Sequence, residues 1–225
     1  MRPAFAETGN VRSFISAINK IKNYKEDIPS MALVFSDPGL GKTRTAIWYA
    51  AKEGGVYLRT KKLMSGRWLL EELVAELGEA PMYRTSDLFR QIVEQLRAKP
   101  RPVFVDEVDY LTYDSRVIET LRDIHDITHA PLIFIGMGMA DKKLMRYRHL
   151  YDRFSEIVKF MPLTRQDVQS IVTQMCEAKL SDAAIDYLCQ QTAGKFRTLI
   201  VYMHRAEYLA RLNNLREISP KDFKK

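Results

Sequence analysis

The chain has 225 residues, 46% hydrophobic and 28% charged, a length and balance that allow a sizeable core and exclude disordered, collagen-like or disulfide-stapled classes. No stretch reaches the ~18 apolar residues of a membrane span, and "MRPAFAETGN" lacks the charged start and apolar run of an export signal, so a cytoplasmic protein is expected. The net charge of +7, from 35 Lys and Arg against 28 Asp and Glu, suits a polyanionic partner as readily as it serves solubility alone.

In chain order, "NVRSFISAINKIKNY" places Val11, Phe14, Ile15, Ile18 and Ile21 at helical spacing. "MALVFS" predicts a buried strand and "KTRTAIWYAAKEG" the helix after it, stopped by Gly54 and Gly55 before a second strand, "VYLRT". Two amphipathic helices follow, "GRWLLEELVAELG" and "SDLFRQIVEQLRAK", the second with Ser86 or Thr85 as its predicted cap. "PVFVDE", "PLIFIG" and "EIVKFMPL" complete five strands, with the helix "DSRVIETLRDIHDI" after the third. Strands alternating with helices predict an α/β fold with a parallel five-stranded sheet covered on both faces. After Pro162 only helices are expected, opened by a capping box of Thr164 and Asp167. The division expected is therefore an α/β domain over 1–162 and a small helical domain over 163–225. Cys176 and Cys189 have no partner motif. His125 and His129 lie four apart, but Pro131 puts His129 at the helix end, so core or surface roles are expected rather than a metal site.

Between the first strand and its helix stands "SDPGLGKT", which matches G-x-x-x-x-G-K-[ST] except that Ser36 opens it. Glycine is required where φ is positive or backbone crowds phosphate, and the first position leaves a strand, so Ser36 should be tolerated. The loop from Ser36 through Asp37, Pro38, Gly39, Leu40, Gly41, Lys42 and Thr43 to Arg44 is expected to cradle ATP with backbone N–H groups at a helix N-terminus. Lys42 would reach the β- and γ-phosphates and Thr43 would ligate Mg²⁺. About sixty residues later, "PVFVDEVDYL" ends an apolar strand in two acids. Asp106 would hold the Mg²⁺ through water, and Glu107 would polarise the water that attacks the γ-phosphate. Adjacent acids at that place predict ATP hydrolysis.

These elements in this order resemble the AAA+ ATPases. More narrowly, "FAETGNVRSF", "SDPGLGKT", "VFVDEVDYL" and "GKFRTL" resemble the transposon target-selection ATPases of the phage Mu B family. The resemblance implies a homo-oligomer or filament assembled with ATP on double-stranded DNA, which marks target DNA and recruits or stimulates a DDE-type transposase. It places Phe5 to Val11 near the adenine and makes Arg197 a sensor that reaches the γ-phosphate from a helical lid. It makes Arg153, in "LYDRFSEI", the arginine finger acting on a neighbouring subunit, with Arg146 and Arg148 as competitors. Two departures stand out. Met137 or Gly138 ends the fourth strand where the family has a polar side chain, which implies slow turnover. The chain also starts almost directly at the ATPase part, without the family's N-terminal DNA-binding appendage. DNA contact is then expected from "LRTKKLMSGRW", through Arg59, Lys61, Lys62 and Arg67, with weak sequence preference because no base-reading pattern is present. Two alternatives remain: a helicase-loader type AAA+ ATPase, and a nucleotide-gated scaffold that hardly hydrolyses ATP.

Overall fold

The computed structural model describes residues 1–24 and 27–224. Its elements, in chain order, are α1 (Gly9–Lys22), β1 (Met31–Ser36), α2 (Lys42–Glu53), β2 (Val56–Arg59), α3 (Gly66–Glu76), α4 (Thr85–Ala98), β3 (Val103–Asp106), a 3₁₀ turn (Val108–Tyr113) and α5 (Ser115–Thr128). Then come β4 (Leu132–Met137), α6 (Ala140–Leu144), α7 (Arg148–Tyr151), β5 (Phe154–Lys159), α8 (Arg165–Met175), α9 (Asp182–Thr192) and α10 (Phe196–Leu212). They form two compact units, one of Phe14–Pro38 with Lys42–Lys159, the other of Met1–Ser13, Gly39–Gly41 and Phe160–Lys225.

The larger unit is built on one parallel sheet of order β2-β3-β4-β1-β5. Alternation along the strands divides the apolar side chains between two faces. Met31, Leu33, Val105, Leu132 and Phe134 pack with the buried stripes of α3, α4 and α5. On other strand positions Phe104 meets Phe14 and Tyr49, with ring centroids 6.1 and 6.0 Å apart, so the start of β3 is sealed against α1 and α2. Each fully buried aromatic of this kind contributes about 3–5 kcal/mol by the cost of its truncation. β1 lies between β4 and β5: the connection after β1 runs to β2 at one side of the sheet, the one after β4 passes β1 to reach β5 at the other, and the C-terminal end of β1 borders the crevice where open α/β sheets bind ligands. One local expectation is corrected. Neither Ser86 nor Thr85 caps α4: Thr85 is its first residue, Arg84 is the cap, and no side chain bonds the free amides. Burial of Leu88, Ile92, Val93 and Leu96 holds that helix instead.

The helical unit has its own core, with Val168, Ile171, Leu188, Leu199, Met203 and Ile218 at its centre. The Thr164–Asp167 capping box opens α8. Asp167 also accepts the Gly9 amide at 2.8 Å, and the Asn10 side chain exchanges two hydrogen bonds with the Met161 backbone, at 2.7 and 2.9 Å. Residues 1–13 thus belong with Phe160–Lys225, where the sequence suggested that they open a 1–162 domain. Polar side chains contribute to that attachment beside the packing of Ala6, Met1 and Ala4 on the helical core, and they leave no periodic apolar signal. Among the described residues no helix is long and apolar enough to cross a membrane.

Candidate active site

The site grows from the C-terminal ends of β1 and β3. Ser36 is the last residue of β1 and keeps a negative φ, while Gly39 and Gly41 have φ of 87° and 97°. Left-handed backbone therefore falls where glycine stands and not where Ser36 replaces it. The Lys42 ammonium donates to the Ser36 carbonyl at 2.9 Å, to Ser36 Oγ at 2.9 Å and to the Asp37 carbonyl at 3.2 Å. Burial lowers its affinity for the proton, and the carboxylates of Asp106, Glu107, Asp109 and Asp37 oppose that shift. A cation held only by neutral oxygens is a ready partner for phosphate, which accepts charge-assisted hydrogen bonds.

Asp106, 2% exposed, is the hub of the second half. Its Oδ2 accepts Thr43 Oγ1 and Tyr57 Oη, each at 2.7 Å, and its Oδ1 accepts the Glu107 amide, also at 2.7 Å. Thr43 spends its proton on this carboxylate, so its oxygen lone pairs stay free as ligands. A hydroxyl oxygen and a carboxylate beside a phosphate-binding loop are the hard donors that Mg²⁺ takes, and the residues fit that ion. The structure thus brings together Lys42, Thr43, Asp106 and Glu107 as the sequence suggested. Tyr57 it adds. The only hint in the sequence is one phenol in the otherwise aliphatic start of β2. Burial, then the bond to Asp106, raises the Tyr57 pKa well above its usual value, so it stays a hydrogen-bond donor. Tyr57→Phe removes one charge-assisted bond, and the Mg²⁺ concentration that half-saturates nucleotide binding should rise about tenfold. Titrating Mg²⁺ into protein with a fluorescent ATP analogue checks this; metal-free affinity should not move.

Glu107 has φ 59°, a left-handed conformation that costs a non-glycine residue about 1–2 kcal/mol. Thr60 helps to hold it, its hydroxyl donating to the Asp106 and Glu107 carbonyls at 3.0 and 2.7 Å. The Arg59 guanidinium lies 3.4 Å from the Glu107 carboxylate. The next acid, Asp109, is buried and accepts the Met137 amide at 2.6 Å and Lys143 Nζ at 3.2 Å. The end of β4 is thereby tied to the turn that carries Glu107. Gly136 makes this possible, since a Cβ there would stand 2.3 Å from Ala140 Cβ and 3.0 Å from the Asp109 carboxylate.

The remaining predicted residues are dispersed. Arg153 immediately precedes β5, whose first residue pairs with Met31 at the opposite end of β1 from the loop. A six-residue strand separates the two ends by roughly 20 Å, and Arg153 pairs there with Asp126 at 3.3 Å. Arg146 and Arg148 are exposed around the start of α7. Of the basic loop residues, Lys61 pairs with Glu72 and lies 4.8 Å from the Trp68 ring centre. Arg67 pairs with Glu71 at 2.8 Å and donates to the Tyr83 carbonyl. Lys62 has no ion pair among the described residues. In the helical unit, the Arg197 amide donates to the Gly39 carbonyl at 3.0 Å, Val11 is buried and Phe5 half-buried. Arg44 is exposed at the start of α2. His125, buried, bonds the Ala130 carbonyl through Nδ1 at 2.9 Å, a structural role, and His129 ends α5.

Residues 27–144 match the AAA domain family. The chain is 31% identical over 156 residues to a potential ATP-binding protein of Staphylococcus aureus, covering 65% of this chain and 54% of that protein. It is 26% identical over 179 residues to the ATP-dependent target DNA activator B of Escherichia phage Mu, covering 75% of this chain and 55% of the relative. The chain thus spans about half the length of the curated relatives it matches. Among solved structures, Aeropyrum pernix ORC1, determined in complex with DNA, superposes with a TM-score of 0.65 at 14% identity, covering 98% of this chain and 64% of that one. At that identity the likeness speaks for the fold.

Proposed function

The chain belongs to the AAA domain family, and from that premise we propose that it is a Mg²⁺-dependent ATPase that assembles on double-stranded DNA, marks it as a target and recruits a transposase. The observation that carries the ATPase reading is the Thr43–Asp106 hydrogen bond of 2.7 Å, with Glu107 next in sequence and Lys42 one residue before Thr43. In this reading Lys42 binds the β- and γ-phosphates, while Thr43 and Asp106 hold Mg²⁺, Thr43 directly and Asp106 through water. The bound ion supplies charge neutralisation of the triphosphate. Glu107 takes the proton of the attacking water. Arg197 is proposed to read the γ-phosphate, and Phe5 to Val11 to border the adenine. Arg153 is proposed to act on another copy's nucleotide, a reading that its distance from its own loop supports.

Target DNA enters through the similarity to the phage Mu activator, the transposase through the resemblance of the sequence motifs, and the basic loop after β2 is the proposed DNA contact. Each phosphate contact contributes about −0.9 to the salt slope of binding. Lys62→Ala should therefore flatten the slope on duplex DNA by about one without changing sequence preference, as filter binding between 50 and 200 mM salt would read. The deciding experiment is ATPase rate with and without duplex DNA, together with electron microscopy of the protein with an ATP analogue and DNA. Stimulation and filaments support the proposal. A second reading, the nucleotide-gated scaffold, is favoured by Met137 and Gly138 at the end of β4, and it predicts no stimulation. Pull-down with a replicative helicase rather than a transposase would point to a helicase loader.

A further inference from the structure

β4 ends in Met137 and Gly138 follows it, and neither side chain can orient a water molecule. The Asp37 side chain borders Gly138. A Cβ on Gly138 would stand 2.7 Å from Asp37 Oδ1, closer than non-bonded atoms approach, whereas the nearest backbone atoms, Asp37 N and Ser36 C, are 3.7 Å away. Only the Asp37 carboxylate contests that space. Asp37 follows β1, and β1 is paired with β4 up to Ser36 opposite Met137, so sheet register holds the two positions side by side. The strand end is itself fixed by the Asp109 bond to the Met137 amide. Among the described residues no hydrogen bond or ion pair engages the Asp37 carboxylate, which is exposed and acts electrostatically on the Lys42 ammonium.

We propose that Asp37 supplies the polar group that the fourth strand lacks, its carboxylate accepting a hydrogen bond from the attacking water and aiming it at the γ-phosphate. This rests on the ATPase reading above. The water oxygen bonds to the γ-phosphorus as the bond to the ADP oxygen breaks, the water's proton passes to Glu107, and phosphate leaves. Asp37 exchanges no proton; it orients. A second carboxylate near the triphosphate also repels it, so its removal should leave ATP affinity equal or greater.

The test uses Asp37→Ala, Asp37→Asn, Gly138→Ala and the double variant Asp37→Ala/Gly138→Ala, each measured for turnover and for affinity toward a fluorescent ATP analogue. A methyl at 138 displaces the carboxylate without replacing it. Asp37→Ala and Gly138→Ala should each slow turnover roughly 10–100-fold, the usual cost of a misplaced reactant, with affinity kept or raised. The double variant should be no slower than either single. Asp37→Asn, which retains an acceptor, should lose less than Asp37→Ala. Retained nucleotide binding shows that each variant is folded. Wild-type turnover in Asp37→Ala, or a Gly138→Ala penalty as large in the Asp37→Ala background as in the wild type, overturns the proposal. Absence of ATP turnover in the wild-type protein overturns the ATPase reading instead, so the two failures are distinct.

Discussion

Lys42→Ala should bind ATP at least about 100-fold more weakly, and calorimetry with Mg²⁺ and ATP should register no heat at protein concentrations that saturate the wild type. Each charge-assisted hydrogen bond contributes about 1.5–3 kcal/mol, and tenfold in affinity is 1.4 kcal/mol, so losing two contacts to phosphate exceeds two decades. The fold should survive. The ammonium's partners are the Ser36 and Asp37 oxygens of its own loop, and its burial opposes the charged form. Removing it therefore removes a desolvation cost along with three hydrogen bonds. Heat of binding equal to the wild type's would refute the assignment of the phosphate loop.

Glu107→Gln separates binding from chemistry. The amide keeps the size of the side chain and the left-handed backbone, so nucleotide affinity should stay within about threefold. Turnover should fall on the order of 100- to 1,000-fold, the usual contribution of a positioned general base. Single-turnover hydrolysis of radiolabelled ATP measures this directly, and hydrolysis at the wild-type rate would remove Glu107 from the mechanism. Glu107→Gly is the companion. It abolishes the base but relieves the strain of φ 59°, so thermal denaturation should find it no less stable than the wild type.

Much of this protein was legible before its structure. The five strands, the loop between β1 and α2, the acids that end β3 and the capping box of α8 are all written in contiguous residues. Local spacing and residue type carry such features: period two or a short apolar run for strands, a Gly-x-Gly-Lys-Thr run for the loop, Thr and Asp three apart for the cap. The ordinary backbone of Ser36 followed in the same way, because a strand's last residue needs no positive φ.

Tertiary structure decided what depended on residues far apart in sequence. Tyr57 reaches Asp106 49 positions away because β2 and β3 pair in parallel. Asn10 and Asp167 help to attach residues 1–13 to the helical unit, through polar contacts that no periodicity announces. The absence of a side-chain cap on α4 came from burial that outweighs local capping preference. At the end of β4 the sequence showed only a missing polar residue. The register of β1 against β4 sets Asp37 beside Gly138, and sheet register depends on the packing of whole strands rather than on any residue read alone.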